Sequence, residues 1–168
     1  MTTLTRFKAG AIALIGLGVA MSGNANASTA TADMSVSATV VASCSVSAGA
    51  LAFGSYSGTA VTSSAALSVT CTNDAPYTIA LGAGSGTDAT TSARLLTNAS
   101  DSTSTLSYGL YQDSSYATTW GDTTGTDTLA GTGTGAAQAV TVYGKIAASQ
   151  LTASTGTYAD TVVVTVNY

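Results

Sequence analysis

The chain has 168 residues, a formal net charge of −4 at pH 7 and no histidine. Four basic residues against eight acidic ones exclude the basic footprint of a nucleic-acid binder. The missing imidazole removes the usual base of a serine-type hydrolase.

Taken from its start, the chain opens on an export signal. Arg6 and Lys8 form a short basic region, and Ala9 to Met21 is apolar. That run is too short for a bilayer core, which takes about 20 residues. Ala25 and Ala27 supply an A-x-A cleavage pattern, so residues 1–27 read as a signal peptide and the mature chain starts at Ser28. No cysteine stands at the cut, which argues against a lipoprotein. The remainder, 28–168, has the size of one domain. It keeps all eight acids, every one an Asp, and two cations, Arg94 and Lys145.

Helix formers are scarce after the signal, and Thr, Ser, Val and Gly dominate. The first strand pattern is "DMSVSATVVASC". Met34, Val36, Ala38 and Val40 share one face, and Ser35, Ser37 and Thr39 the other. Alternation predicts strands over Met34–Val46, Ala66–Cys71, Tyr77–Leu81, Leu106–Tyr111, Ala139–Ile146 and Asp160–Tyr168. Further candidates are Leu51–Tyr56, Arg94–Thr97 and Tyr116–Trp120. "GAGSGTD" and "GDTTGTDTLAGTGTG" read as loops. Many short strands at this spacing predict an all-β, antiparallel sandwich of immunoglobulin-like kind. In the last strand, Val162, Val164, Val166 and Tyr168 share a face beside what would be an unpaired edge.

The two cysteines, Cys44 and Cys71, are expected to form a disulfide in an oxidising compartment. For a loop of roughly 28 residues the chain-entropy model gives about 3.6 kcal/mol of stabilisation. Two cysteines without histidine make a poor zinc site.

Chemistry-bearing motifs are few. "LGAGSG" and "GTGTGA" have G-x-G-x-G spacing and lead into no helix, so they lack the anion site of a phosphate loop. "GTDTLA" matches the core of a calcium-binding nonapeptide, but it occurs once and such sites need stacked repeats. The Asp residues lie singly in turn contexts, which points away from paired-carboxylate catalysis. Tyr111, Tyr143 and Tyr158 read as core or cross-strand aromatics, and Tyr116 with Trp120 as a minor candidate for a sugar platform. No catalytic activity, metal, cofactor, nucleic acid or small-molecule substrate is expected.

Six stretches together resemble the spore coat protein U domain family, and within it the Csu-type pilins of archaic chaperone–usher pathways. "MSVSATVVASC" is similar to the family's N-terminal donor strand. "LAFGSYSG" follows, then "LSVTCTNDAPYTIAL" with the second Cys. "YGLYQDSSYATTWG" resembles the family's Y-x-L/V-Y-x-D segment, and "VYGKIAASQ" and "GTYADTVVVTVNY" its closing stretches. The central Gly/Thr loops depart from it. The resemblance implies an incomplete immunoglobulin-like antiparallel β-sandwich, completed by a donor strand from a neighbouring subunit. Residues 28–42 would be that donor strand, with Met34, Val36, Ala38 and Val40 facing the acceptor, and 43–168 the pilin domain. Val162, Val164, Val166 and Tyr168 would edge the acceptor groove. The implied partners are neighbouring pilin subunits, a periplasmic chaperone and an outer-membrane usher. The implied setting is an extracellular pilus for surface attachment and biofilm formation, reached through the periplasm. A monomeric secreted binding module and a non-pilus surface coat protein remain as alternatives.

Overall fold

The computed structural model describes residues 27–168. The expected signal peptide, Ala27 apart, lies outside the described residues. Two compact units divide at Ala38 and Thr39.

In the first unit, residues 27–38 carry no regular secondary structure. Met34 is 85% and Val36 84% exposed, and Ala38 is also exposed. The second unit, Thr39–Tyr168, is all β among the described residues. Its strands are β1 (Cys44–Ala48), β2 (Val61–Cys71), β3 (Pro76–Leu81), β4 (Arg94–Asn98) and β5 (Thr105–Tyr111), then β6 (Leu129–Thr132), β7 (Ala137–Ile146), β8 (Tyr158–Ala159) and β9 (Val164–Asn167). All pairings are antiparallel. One sheet runs β1-β2-β7-β5-β4-β8 and the other β6-β3-β9.

The core lies between the two sheets, and period-2 alternation builds it. Leu67, Val69 and Cys71 of β2, Leu106, Tyr108 and Leu110 of β5, and Val142 and Ile146 of β7 are buried from the large sheet. Tyr77, Ile79 and Leu81 of β3 meet them from the small one. Each of the larger side chains contributes on the order of 1.5–3 kcal/mol as an upper estimate. Cys44 and Cys71 face each other across the β1–β2 ladder and are joined by a disulfide.

Several sequence expectations need correction. The strand expected over Met34–Val46 begins only at Cys44 and runs to Ala48. Residues 34–43 form no ladder, and without one an alternating segment has no strand to be. The last strand is Val164–Asn167 rather than Asp160–Tyr168. Leu51–Tyr56 and Tyr116–Trp120 form no strands, although Thr119 makes one bridge to Tyr111. Conversely, the loop expected over "GDTTGTDTLAGTGTG" contains β6. Gly131 explains why a strand hides in such a sequence: it pairs with Tyr77, and a Cβ there would stand 2.5 Å from Tyr77 Cζ. The glycine is the floor on which the cross-strand ring lies.

Arg94 organises one end of the core. It is fully buried, and all its hydrogen bonds go to carbonyl oxygens. Nε donates to Gly82 at 2.8 Å and Nη1 to Thr91 at 2.7 Å. Nη2 donates to Leu81 and Trp120, both at 2.8 Å. Burial lowers its pKa, opposed by Tyr108 and then by the more distant Asp122, Asp160 and Asp127. Trp120, a minor candidate for a sugar platform in the sequence, is fully buried beside it, donating Nε1–H to Ile79 O at 2.9 Å. The guanidinium fork thus ties together chain ends that no ladder joins.

Arg94→Lys keeps the charge but cannot span four carbonyls. Each orphaned buried acceptor costs about 1–3 kcal/mol, so urea titration should give a loss of at least about 3 kcal/mol. A loss under about 1 kcal/mol would mean that the fork is dispensable.

Candidate functional site

β9 is hydrogen-bonded to β3 along one edge, and β1 to β2. Among the described residues, no strand pairs with the other edge of β9. Two irregular segments bound the gap that follows. One is the connection from β1 to β2. The other leads from β7 through β8 to β9.

Sequence places these segments for physical reasons. In the first, Leu51 and Phe53 lie over Gly144 of β7, where a Cβ would stand 2.9 Å from Phe53 Cζ and from Leu51 Cδ2. Phe53 meets the Tyr108 ring edge-on, with centroids 5.8 Å apart. Tyr56 donates its hydroxyl proton to Ala147 O and accepts from Gln150 N–H, each at 2.9 Å. Gln150 in turn pairs its amide with the backbone of Ser107, at 2.7 and 2.8 Å. The stretches "LAFGSYSG" and "VYGKIAASQ" are therefore one contact.

The second segment leaves the large sheet after Ala159 and enters the small sheet at Val164. Asp160 sits at the crossover. Its Oδ1 accepts from Ser85 N–H, Ser85 Oγ–H and Thr161 N–H, each at 2.7 Å. Its Oδ2 accepts from the buried Tyr108 hydroxyl at 2.7 Å. Burial acts to raise the pKa of Asp160, but these donors outweigh it and hold the carboxyl below its usual range. Burial, and then Asp160, push the Tyr108 phenol well above its ordinary value.

Between the two segments a cleft opens over the core, whose residues are themselves buried. A cavity of about 340 Å³ is floored by Leu67, Leu81, Tyr108, Leu110 and Val142, with Val162 and Val164 on one wall. A second, of about 840 Å³, continues it over Leu96, Leu106 and Ile146, towards Tyr56 and Leu151. The first is mainly apolar; the second is of mixed character, with Ser55, Tyr56, Gln150 and Tyr158 in its lining, and Asp160 lines both.

Of the residues singled out from sequence, Val162, Val164 and Val166 are half-buried against the core, and the first two line the groove. Tyr168 is 62% exposed and lies one residue past β9. Val40 is 83% exposed. Tyr116 is half-buried, edge-on to Tyr111 at 5.6 Å and with the Lys145 ammonium 5.3 Å from its ring centroid, well apart in character from the buried Trp120. Asp160, Tyr108, Leu51 and Phe53 escape sequence reasoning as groove residues. The one available signal is an isolated Asp shortly before a run of valines. Among the described residues, no cluster of three or more His, Cys, Asp or Glu could hold a metal ion, and no helix is long and apolar enough to cross a membrane.

The Spore Coat Protein U domain profile matches residues 30–165. The chain belongs to that family. Among solved structures, it resembles a chain of the CsuC–CsuE chaperone–tip adhesion subunit pre-assembly complex, from the archaic chaperone–usher Csu pili of Acinetobacter baumannii. The TM-score is 0.60 at 20% identity, over 77% of this chain and 41% of that one. The match thus spans less than half of that chain and establishes a common fold. No curated protein matches the chain.

The Asp160 carboxylate, held down against burial first by the Ser85 N–H and then by the Tyr108 hydroxyl, sets a pH dependence. A carboxylate whose folded pKa is depressed stabilises the fold above its unfolded pKa, about 3.9. That stability is lost as pH falls through the folded value. Asp101 and Asp113 are depressed too, first by the Thr103 and Ser115 side chains, and act equally in any Asp160 variant. Between about pH 5 and pH 2, the melting temperature of the parent should therefore fall more than that of Asp160→Asn. Parallel curves would remove Asp160 from the acid response.

Proposed function

We propose that the protein is a structural subunit of an extracellular pilus, assembled by donor-strand exchange through a chaperone–usher pathway. The observation that carries this is the unpaired edge of β9 beside a mainly apolar groove of about 340 Å³. A sheet edge of this kind is a template for strand addition, in which ladder hydrogen bonds give affinity and side-chain pockets specificity. The exposed alternating set Met34, Val36, Ala38 and Val40 supplies the matching strand, from the next copy. Residues 28–42 are then the donor strand and 43–168 the acceptor domain. Val162, Val164, Val166 and Tyr168 are the acceptor edge, with Val162 and Val164 in the groove wall. Burying Met34, Val36 and Val40 contributes on the order of 1.5–3 kcal/mol each as an upper estimate.

Donor and acceptor are different surfaces of one chain. Such a head-to-tail contact propagates into a filament rather than closing a dimer. The periplasmic chaperone occupies the groove first, and the outer-membrane usher exchanges it for the next subunit. Family membership and the resemblance to a Csu pilus complex support these partners, export through the periplasm, and a role without catalysis. Surface attachment and biofilm formation are the service such a filament performs.

Val36→Asp and Ser37→Asp separate the two faces of the donor strand. The first puts a carboxylate into an apolar groove, a cost of several kcal/mol, and should abolish polymer. The second faces outward and should be tolerated. Polymer is read at equal soluble subunit as a ladder in SDS gels that collapses on heating. Equal ladders from both variants would sink donor-strand exchange and leave a self-contained secreted module.

A further inference from the structure

The outer face of the large sheet carries a cluster that neither the groove nor the core uses. On β7, the half-buried Tyr143 and Lys145 alternate with the buried Val142, Gly144 and Ile146, so they point away from the core. In register they face Tyr111 and Gly109 of β5. Gly109 lets the cluster close up. A Cβ there would stand 2.6 Å from the Tyr111 hydroxyl oxygen and 2.8 Å from its Cζ, so the Tyr111 ring occupies the space opposite Lys145. Tyr116 arrives from the loop after β5. Its ring stands at 86° to that of Tyr111, with centroids 5.6 Å apart, and the Lys145 ammonium lies 5.3 Å from its centroid.

Tyr116 is held there at a cost. Its φ is 60°, a left-handed conformation that is an outlier for a bulky residue. Asp113 fixes the loop: its carboxylate accepts from the N–H groups of Ser115, Ala117 and Thr118 at 2.9, 3.3 and 2.8 Å, and from the Ser115 hydroxyl. Strain of this kind persists only where the surroundings over-determine it, and it gathers at ligand sites. Lys145 is also singular. Residues 28–168 hold two cations and eight Asp, and the other cation, Arg94, is buried. Contact with a ring face engages the charge of Lys145 and leaves its N–H donors to bond elsewhere.

We propose that the corner formed by Tyr111, Tyr116 and Lys145 binds an acidic saccharide of the uronic-acid class. The two tyrosines offer apolar rings to sugar C–H groups and hydroxyls to the sugar rim. Lys145 gives the carboxylate a charged hydrogen bond. A bare anion is a poor occupant, because the domain is acidic and an exposed ion pair alone contributes little. The sugar platform sought at Tyr116 and Trp120 is thus built with Tyr111 in place of Trp120. It lies on the opposite face of the sheet from the groove, so it is independent of what fills the groove.

The test is binding of the native protein to beads bearing polygalacturonate, its methyl ester or polyaspartate, over a range of protein concentration. Polygalacturonate should retain the protein and the other two should not. Lys145→Gln and Tyr116→Asn should each weaken that retention about tenfold. Asn is the replacement because it tolerates the left-handed backbone. Thr141→Ala, on the same face of β7 but outside the corner, should change nothing. Should Tyr116→Asn fail to accumulate, Lys145→Gln against Lys145→Arg decides: the first must lose retention and the second keep it. Equal retention by the methyl ester makes the charge irrelevant, and equal retention by polyaspartate reduces the corner to a patch for any anion. Either result overturns the proposal, as does a parent that is not retained or a Lys145→Gln variant retained in full.

Discussion

β9 has hydrogen bonds on one side only, and the rest of the domain is organised around that asymmetry. A closed sandwich would fill the cavity over Leu67, Leu110 and Val142 with one more strand. Here they floor a groove, and its walls are held by side chains instead of ladders. Tyr56 and Gln150 fasten one wall, and Asp160 the other. Both use side-chain oxygens and amides to imitate the backbone bonds that a missing strand would make. An edge so exposed is an aggregation hazard unless something covers it, which is the physical case for a chaperone in the assembly route.

The same economy appears deeper in the domain. Arg94 is a buried charge without a carboxylate in contact, a costly arrangement unless every donor is satisfied. Four carbonyl groups from three stretches satisfy it, and Trp120 supplies one of them. The node lies at the β3 end, close in sequence to the loop that also feeds Ser85 to Asp160. Groove wall and buried fork thus share one short piece of chain, Leu81–Ser85.

The strands in the middle of the domain are legible in the sequence because their alternation is strong and two-sided. The expected Tyr77–Leu81, Leu106–Tyr111 and Ala139–Ile146 fall within two residues of the observed strands. Where sequence reading fails, tertiary partners decide the structure. β6 is hidden because Gly131 answers to Tyr77 and carries no propensity of its own. Trp120 stays open as a minor platform candidate because its burial depends on Arg94 and Ile79, both distant in sequence. Met34–Ser43 carries the strongest strand pattern near the start of the chain, yet forms no strand in an isolated copy. Pattern reports that a face wants burial, and only an edge can grant it. Asp160 reads as ordinary turn chemistry, because nothing in "YADTVVV" reveals which loop and which tyrosine will meet it.

The disulfide would have a mechanical meaning in the proposed filament joined through residues 28–42. Tension between neighbours would then enter the domain at Cys44, the first residue of β1. β1 is an edge strand of five residues, and a pull on its end would open the ladder one bond at a time. The Cys44–Cys71 link diverts that load directly to the end of β2, which is paired with β7 over ten residues. The force then loads that long ladder along its length, so many bonds resist together. The cross-link works as a shackle between the pulling segment and the strongest part of the sheet.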